Sequence, residues 1–125
     1  MALKPQRVGL EGMYQAGRKD NPYRRKALRE AKKLIKRVRE ELHPLGVFLF
    51  GSVARGDVHA LSDIDLLIIA DFRGSRRDRV ERILNIAQNL KLTFPVEPLA
   101  LRPEEFRSVR NRPFFRHMAR EALEF

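Results

Sequence analysis

The chain has 125 residues, 43% of them hydrophobic, which fits a single core and argues against intrinsic disorder. It has no cysteine, which excludes a disulfide framework and thiolate metal sites, and no apolar run approaches the roughly 18 residues needed to span a bilayer. Lys and Arg number 26 against 16 Asp and Glu, and the resulting +10 favours nucleic acid, nucleotides or an acidic protein as partner, or else a solvated basic surface.

Residues 1–22 lack periodicity and read as a flexible basic arm, with one domain expected over 23–125. The N-terminal stretch has no apolar core of signal-peptide length, so the expected location is the cytoplasm. Asn21-Pro22 is an N-cap followed by Pro at the first helical position. Leu28, Ala31, Leu34, Ile35, Val38 and Leu42 then recur at helical spacing. Arg24, Arg25, Lys26, Arg29, Lys32, Lys33, Lys36, Arg37 and Arg39 lie between them, so the spacing predicts an amphipathic helix with a basic outer face. The helix should stop near His43-Pro44.

Val47 to Phe50 reads as a short strand. Leu66 to Ala70 reads as a second, continuous in its apolar character and therefore covered on both faces. Ser75 to Asp78 resembles a capping box, and Val80, Ile83, Leu84, Ala87 and Leu90 form the apolar face of the helix behind it. Thr93 to Leu101 reads as a third strand, at an edge or broken because Pro95 and Pro98 interrupt it. Pro103-Glu104-Glu105 opens a helical turn. Asn111 to Phe125 reads as a last helix whose Phe115, Met118, Ala122 and Phe125 stripe packs in the core or in a dimer. The expected fold is α/β (α+β), a small mixed sheet of three to four strands packed with helices.

The chemistry concentrates in "FLFGSVARGDVHALSDIDLLIIA", residues 48–70. A strand running into Gly51-Ser52 and a helical turn offers free backbone N–H groups to a phosphate, and Arg55 adds a cation one turn on. Asp63 and Asp65 are two apart, so on a strand they share a face about 7 Å apart, beside an apolar run. Their repulsion and desolvation are relieved by a divalent cation, and hard carboxylate oxygens suit Mg²⁺, with Mn²⁺ as the alternative. Ions held this way serve phosphoryl transfer. The competing reading makes both Asp cap-like residues of a turn. His43, His59 and His117 are scattered one per segment, which argues against a His-based metal site.

"GSVARGD" followed by "SDIDLLI" closely resembles the signature of the DNA polymerase β-like nucleotidyltransferase superfamily, in particular the minimal nucleotidyltransferases. The helix before the first strand and the tail "RPFFRHMAREALEF" extend the resemblance over roughly residues 24–125. It implies that Gly51 and Ser52 hold the triphosphate of an NTP, with ATP as the expected one, and that Asp63 and Asp65 bind Mg²⁺. A third carboxylate on a later strand would complete the metal site and deprotonate an acceptor hydroxyl, which takes the nucleoside monophosphate as pyrophosphate leaves. Glu97 in "FPVEPLAL" is the best match, where a charge inside an apolar strand is itself a hint of a metal; Asp71, Glu104 or a missing ligand are the alternatives. The resemblance also implies a small helical HEPN-type toxin as partner, with this chain as antitoxin. A second copy of the chain is the other source of an acceptor surface. Two other readings compete: an inactive relative kept as a protein-binding antitoxin or scaffold, and a nucleic-acid binder using the helix from Arg24 to Arg39.

Overall fold

In a computed structural model, residues 6–7 and 21–125 are described, so the arm expected over 1–22 lies outside the described residues except at Gln6–Arg7, Asn21 and Pro22. In chain order the elements are β1 (Gln6–Arg7), α1 (Pro22–Leu42), β2 (Gly46–Phe50), α2 (Gly51–Arg55) and β3 (Ile64–Ile69). They continue with α3 (Arg76–Asn89), β4 (Val96–Leu101), α4 (Pro103–Val109), α5 (Pro113–Glu121) and β5 (Leu123–Glu124). The strands form one mixed sheet in the order β1-β5-β2-β3-β4. Strand β2 runs antiparallel to β3 and β5, whereas β3 and β4 are parallel, as are β1 and β5.

Helix α1 begins where its caps dictate. The Asn21 side chain accepts from the Arg24 N–H at 2.8 Å, and Pro22 occupies the first turn, where no N–H is required. It ends at His43, held at φ 46°, with Pro44 barring continuation. Ala27, Leu28, Ala31, Leu34, Ile35 and Val38 face one side of the sheet, where they meet Leu49, Ile64, Leu66, Ile68 and the Ile83 face of α3. The other side carries Phe48, Leu67, Ile69 and Leu101, covered by Met118 and Ala122 with Phe106 and Phe115 packed against them. The period-2 alternation of β3 thus feeds two cores, which explains a strand without polar alternation.

Several expectations shift once packing decides. Arg24, expected on the basic outer face, is buried, and its Nε donates to the Val53 carbonyl at 3.2 Å. Leu84 is 39% exposed; Arg79, Ile83, Ile86 and Ala87 form the buried face of α3. The third strand begins at Val96 rather than Thr93 and runs unbroken through Pro98. It lies at the sheet edge, where a missing N–H costs no ladder bond. The last helix stops at Glu121, and Leu123–Glu124 form a strand on β2, with the Phe125 N–H donating to Val47 O at 2.9 Å. Backbone pairing with the open edge of β2 and full burial of Leu123 outweigh the helical spacing of the tail. Among the described residues the sheet thus has five strands, the β2, β3 and β4 that the sequence marked and the short β1 and β5, against an expected three to four. Among the described residues, no helix is long and apolar enough to cross a membrane.

One buried carboxylate organises the approach to β4. Glu30 on α1 accepts from the backbone N–H groups of Thr93 at 2.8 Å and Phe94 at 2.9 Å. Truncation leaves two inward-facing donors unpaired. Glu30→Ala should lower the unfolding free energy by about 2–4 kcal/mol in chemical denaturation, and Glu30→Gln, which keeps one acceptor, by less than half of that.

Candidate active site

The site is built where β2 ends and β3 begins. Antiparallel register sets Phe50 opposite Asp65, so the residue after Phe50 turns beside the Asp65 side chain. That residue is Gly51, at φ +72°, a conformation L side chains rarely adopt. A Cβ built at Gly51 would overlap Asp65 Oδ2 and come within 3.0 Å of Asp65 Cγ. Glycine is required twice here, by its dihedral and by the carboxylate lying against it. Helix α2 starts at once, with Phe50 as an N-cap that makes no side-chain hydrogen bond, so its first-turn N–H groups have no cap side chain. Gly56, at φ +99°, closes the turn and its N–H donates to Ser52 O.

The loop into β3 is self-bonded. The His59 N–H donates to Ser62 Oγ at 2.9 Å, and the Leu61 N–H to His59 Nδ1 at 3.2 Å. His59 is thus part of the turn, which delivers half-buried Asp63 to the start of the strand. Parallel register between β3 and β4 pairs Asp65 with Glu97. Period 2 puts both on the face that carries Leu67 and Leu99. Glu97 is exposed at the edge, so the cost assumed for a charge inside an apolar strand is not incurred. Asp71 and Glu104 belong elsewhere. Asp71 follows the far end of β3, about 20 Å along the strand from Asp65, and lies 4.0 Å from Arg102. Glu104 sits on α4, 2.6 Å from the Arg102 Nε.

Electrostatics mark Asp65 as the strained group. Burial, then the charges of Asp63 and Glu97, push its carboxyl up to about 6, with Arg55 opposing and Glu121 adding to the rise. Arg55 is held by acids at the same end of the molecule, its Nε 3.3 Å from Asp57 and a terminal nitrogen 3.0 Å from Glu121. Burial works against its charge, but Glu121 and Asp57 outweigh it and raise its pKa. Glu121 is a charged neighbour of the site that the sequence did not disclose. It stands 66 residues from Arg55 with no local motif, and only the packing of α5 on α2 brings the two together.

Asp63 and Asp65 fit a divalent cation chemically, because their oxygens are hard donors and a cation relieves the repulsion that raises Asp65. Among the described residues, however, no three His, Cys, Asp or Glu side chains are gathered as a metal-holding group, so Glu97 stands in register with the pair without closing a cage. Arg55, Gly51, Ser52, Asp63 and Asp65 are clustered by adjacent elements; Glu97 joins from the neighbouring strand.

Comparison with known proteins bears on the same residues. The family model for the nucleotidyltransferase domain matches residues 31–122. A Sulfolobus solfataricus protein of solved structure, inferred to be a nucleotidyltransferase, superposes with a TM-score of 0.54 at 26% identity, covering 71% of this chain and 78% of that one. A toxin-antitoxin structure with AMP-PNP aligns at TM-score 0.46 and 29% identity, over 57% of this chain and 56% of that one, too loosely to carry an argument. No curated protein sequence matches at a significant level.

Two outcomes are expected from this geometry. Gly51→Ala should displace the Asp65 carboxylate and destabilise the fold, read as a lowered thermal midpoint together with lost nucleotide binding. Asp65 is easier to protonate in the folded state, so its charge costs stability above about pH 6, and the cost fades as pH falls from about 6 toward the ordinary 3.8. In chelator, Asp65→Asn should therefore raise the thermal midpoint at pH 7, and the gain should shrink to nothing by about pH 4.

Proposed function

The chain belongs to the nucleotidyltransferase domain family, with the polymerase β-like fold its motif implies, and from that premise we propose that it transfers a nucleoside monophosphate from an NTP, ATP being the expected one, to a hydroxyl on a partner molecule. The observation that carries the reading is the contact of Asp65 with Gly51, which joins the carboxylate half of the motif to its phosphate half.

In this reading the backbone at Gly51 and Ser52 takes the triphosphate, and Arg55 supplies positive charge beside it. Asp63 and Asp65 would hold Mg²⁺ or Mn²⁺, which when bound would neutralise charge on the phosphates and leaving group. The acceptor oxygen attacks the α-phosphorus, the bond to the β-phosphate oxygen breaks, and pyrophosphate departs with its electron pair. Glu97, exposed at the rim and in register with Asp65, takes the acceptor's proton. The acceptor implied by the resemblance is a small helical HEPN-type protein, to which this chain would act as antitoxin.

Purified protein with labelled NTP, divalent cation and the candidate partner should label that partner. Asp63→Asn combined with Asp65→Asn should cut labelling at least about 100-fold. Labelling that is indifferent to the double substitution overturns the reading. Absence of any transfer, with neutralisation of the partner intact in both proteins, establishes a binding antitoxin instead.

A further inference from the structure

Helix α1 carries a surface the transfer site does not use. Lys26, Arg29, Lys33, Lys36, Arg37 and Arg39 are all exposed between residues 26 and 39, a length of about 20 Å along the helix. From Tyr23 to Arg39 the helix has one acid, Glu30, and it is turned inward onto the Thr93 and Phe94 N–H groups. No exposed carboxylate interrupts the row before Glu40, and Arg37 reaches its acid, Glu41, only in the last turn. Elsewhere cations meet acids: Arg77 pairs with Glu81 along α3, Arg79 of α3 with Glu105 of α4, and Arg102, the residue before α4, with Glu104. On α1 the spacing instead sets Arg29 one turn from Lys33, and Lys33 one turn from Arg37, like charges that weaken a helix. The sequence keeps this cost across the row.

The ligand class follows from what α1 does with its other face. A membrane-surface helix needs an exposed apolar side, and the apolar side of α1 is wholly inside the protein, with Ala27, Leu28, Leu34, Ile35 and Val38 at most 1% exposed. A long row of cations matches a polymer of regularly spaced negative charges. Tyr23, 48% exposed at the N-terminal end of the row, offers a ring on which a base can stack. The first turn is tied to the phosphate turn, because Arg24 Nε donates to Val53 O on α2. We infer that the exposed face of α1 is a binding surface for a nucleic-acid backbone, its N-terminal end adjoining the candidate active site. The inference does not rest on catalysis, and binding is measured without nucleotide.

The test is fluorescence anisotropy with a labelled single-stranded RNA of about 20 nucleotides, from about 50 to 200 mM salt. Wild type should bind, with affinity falling about 10³-fold over that range if several phosphates are engaged. Lys33→Glu with Lys36→Glu should weaken binding at least about tenfold and flatten the salt slope. The matched reversal on the rest of the molecule, Arg73→Glu with Arg82→Glu, should cost less than about threefold. Lys33→Glu creates favourable pairs with Arg29 and Arg37 that offset the repulsion of Lys36→Glu by Glu40, and circular dichroism checks that the helix is kept. Lys33→Gln with Lys36→Gln serves if the reversal fails to fold. No binding at low salt, equal loss in both reversals, or equally tight binding of polyglutamate overturns the inference.

Discussion

The Asp65 carboxylate lies against Gly51, and the rest of the site is arranged around that contact. It requires that β2 end where β3 begins, that the connecting residue have no side chain, and that its backbone sit at positive φ. It also requires a carboxylate to remain partly desolvated beside two others, which raises its pKa to about 6. Nothing local favours such an arrangement. Two packed cores hold it, one on each face of β3, with Leu66 and Ile68 in one and Leu67 and Ile69 in the other. Cores of this kind can impose a local cost because each buried apolar side chain contributes about 1.5–3 kcal/mol.

A second chain of contacts aligns β4. Glu30 fixes the backbone at Thr93 and Phe94, and the next residue, Pro95, accepts from the Ile64 N–H at 2.8 Å. Ile64 is the first residue of β3 and Val96 the first of β4, and they are register partners. The buried Glu30 thereby sets which β4 residue faces Asp65, and that residue is Glu97. A helix residue more than thirty positions upstream of Asp65 thus controls the composition of the acidic group.

Charge is divided by face. Acids converge at the strand ends, through Asp63, Asp65, Glu97 and Glu121, while cations line α1. Two buried arginines belong to neither face. Arg24 and Arg79 are buried and donate to the backbone carbonyls of Val53, Gly74 and Ala100, so they act as structural donors rather than surface charge. Spacing alone cannot separate such residues from a solvated face, because a long side chain at the boundary of a helix can turn either way.

The sequence by itself determined the caps of α1 and α3, the apolar register of α1, and the strand–turn–strand frame around Gly51 and Asp65. These are short-range features, in which a side chain bonds backbone three residues away or a period of 3.6 or 2 marks one face. Tertiary structure alone decided that the tail leaves its helix at Glu121 to pair with β2, that Leu84 faces out and Arg24 in, and that Glu121 meets Arg55. It also decided that Glu97 stands exposed in register with Asp65 instead of buried in a strand. Each of these depends on partners tens of residues away. Their free energy comes from filling an open sheet edge or a core, which no local pattern encodes.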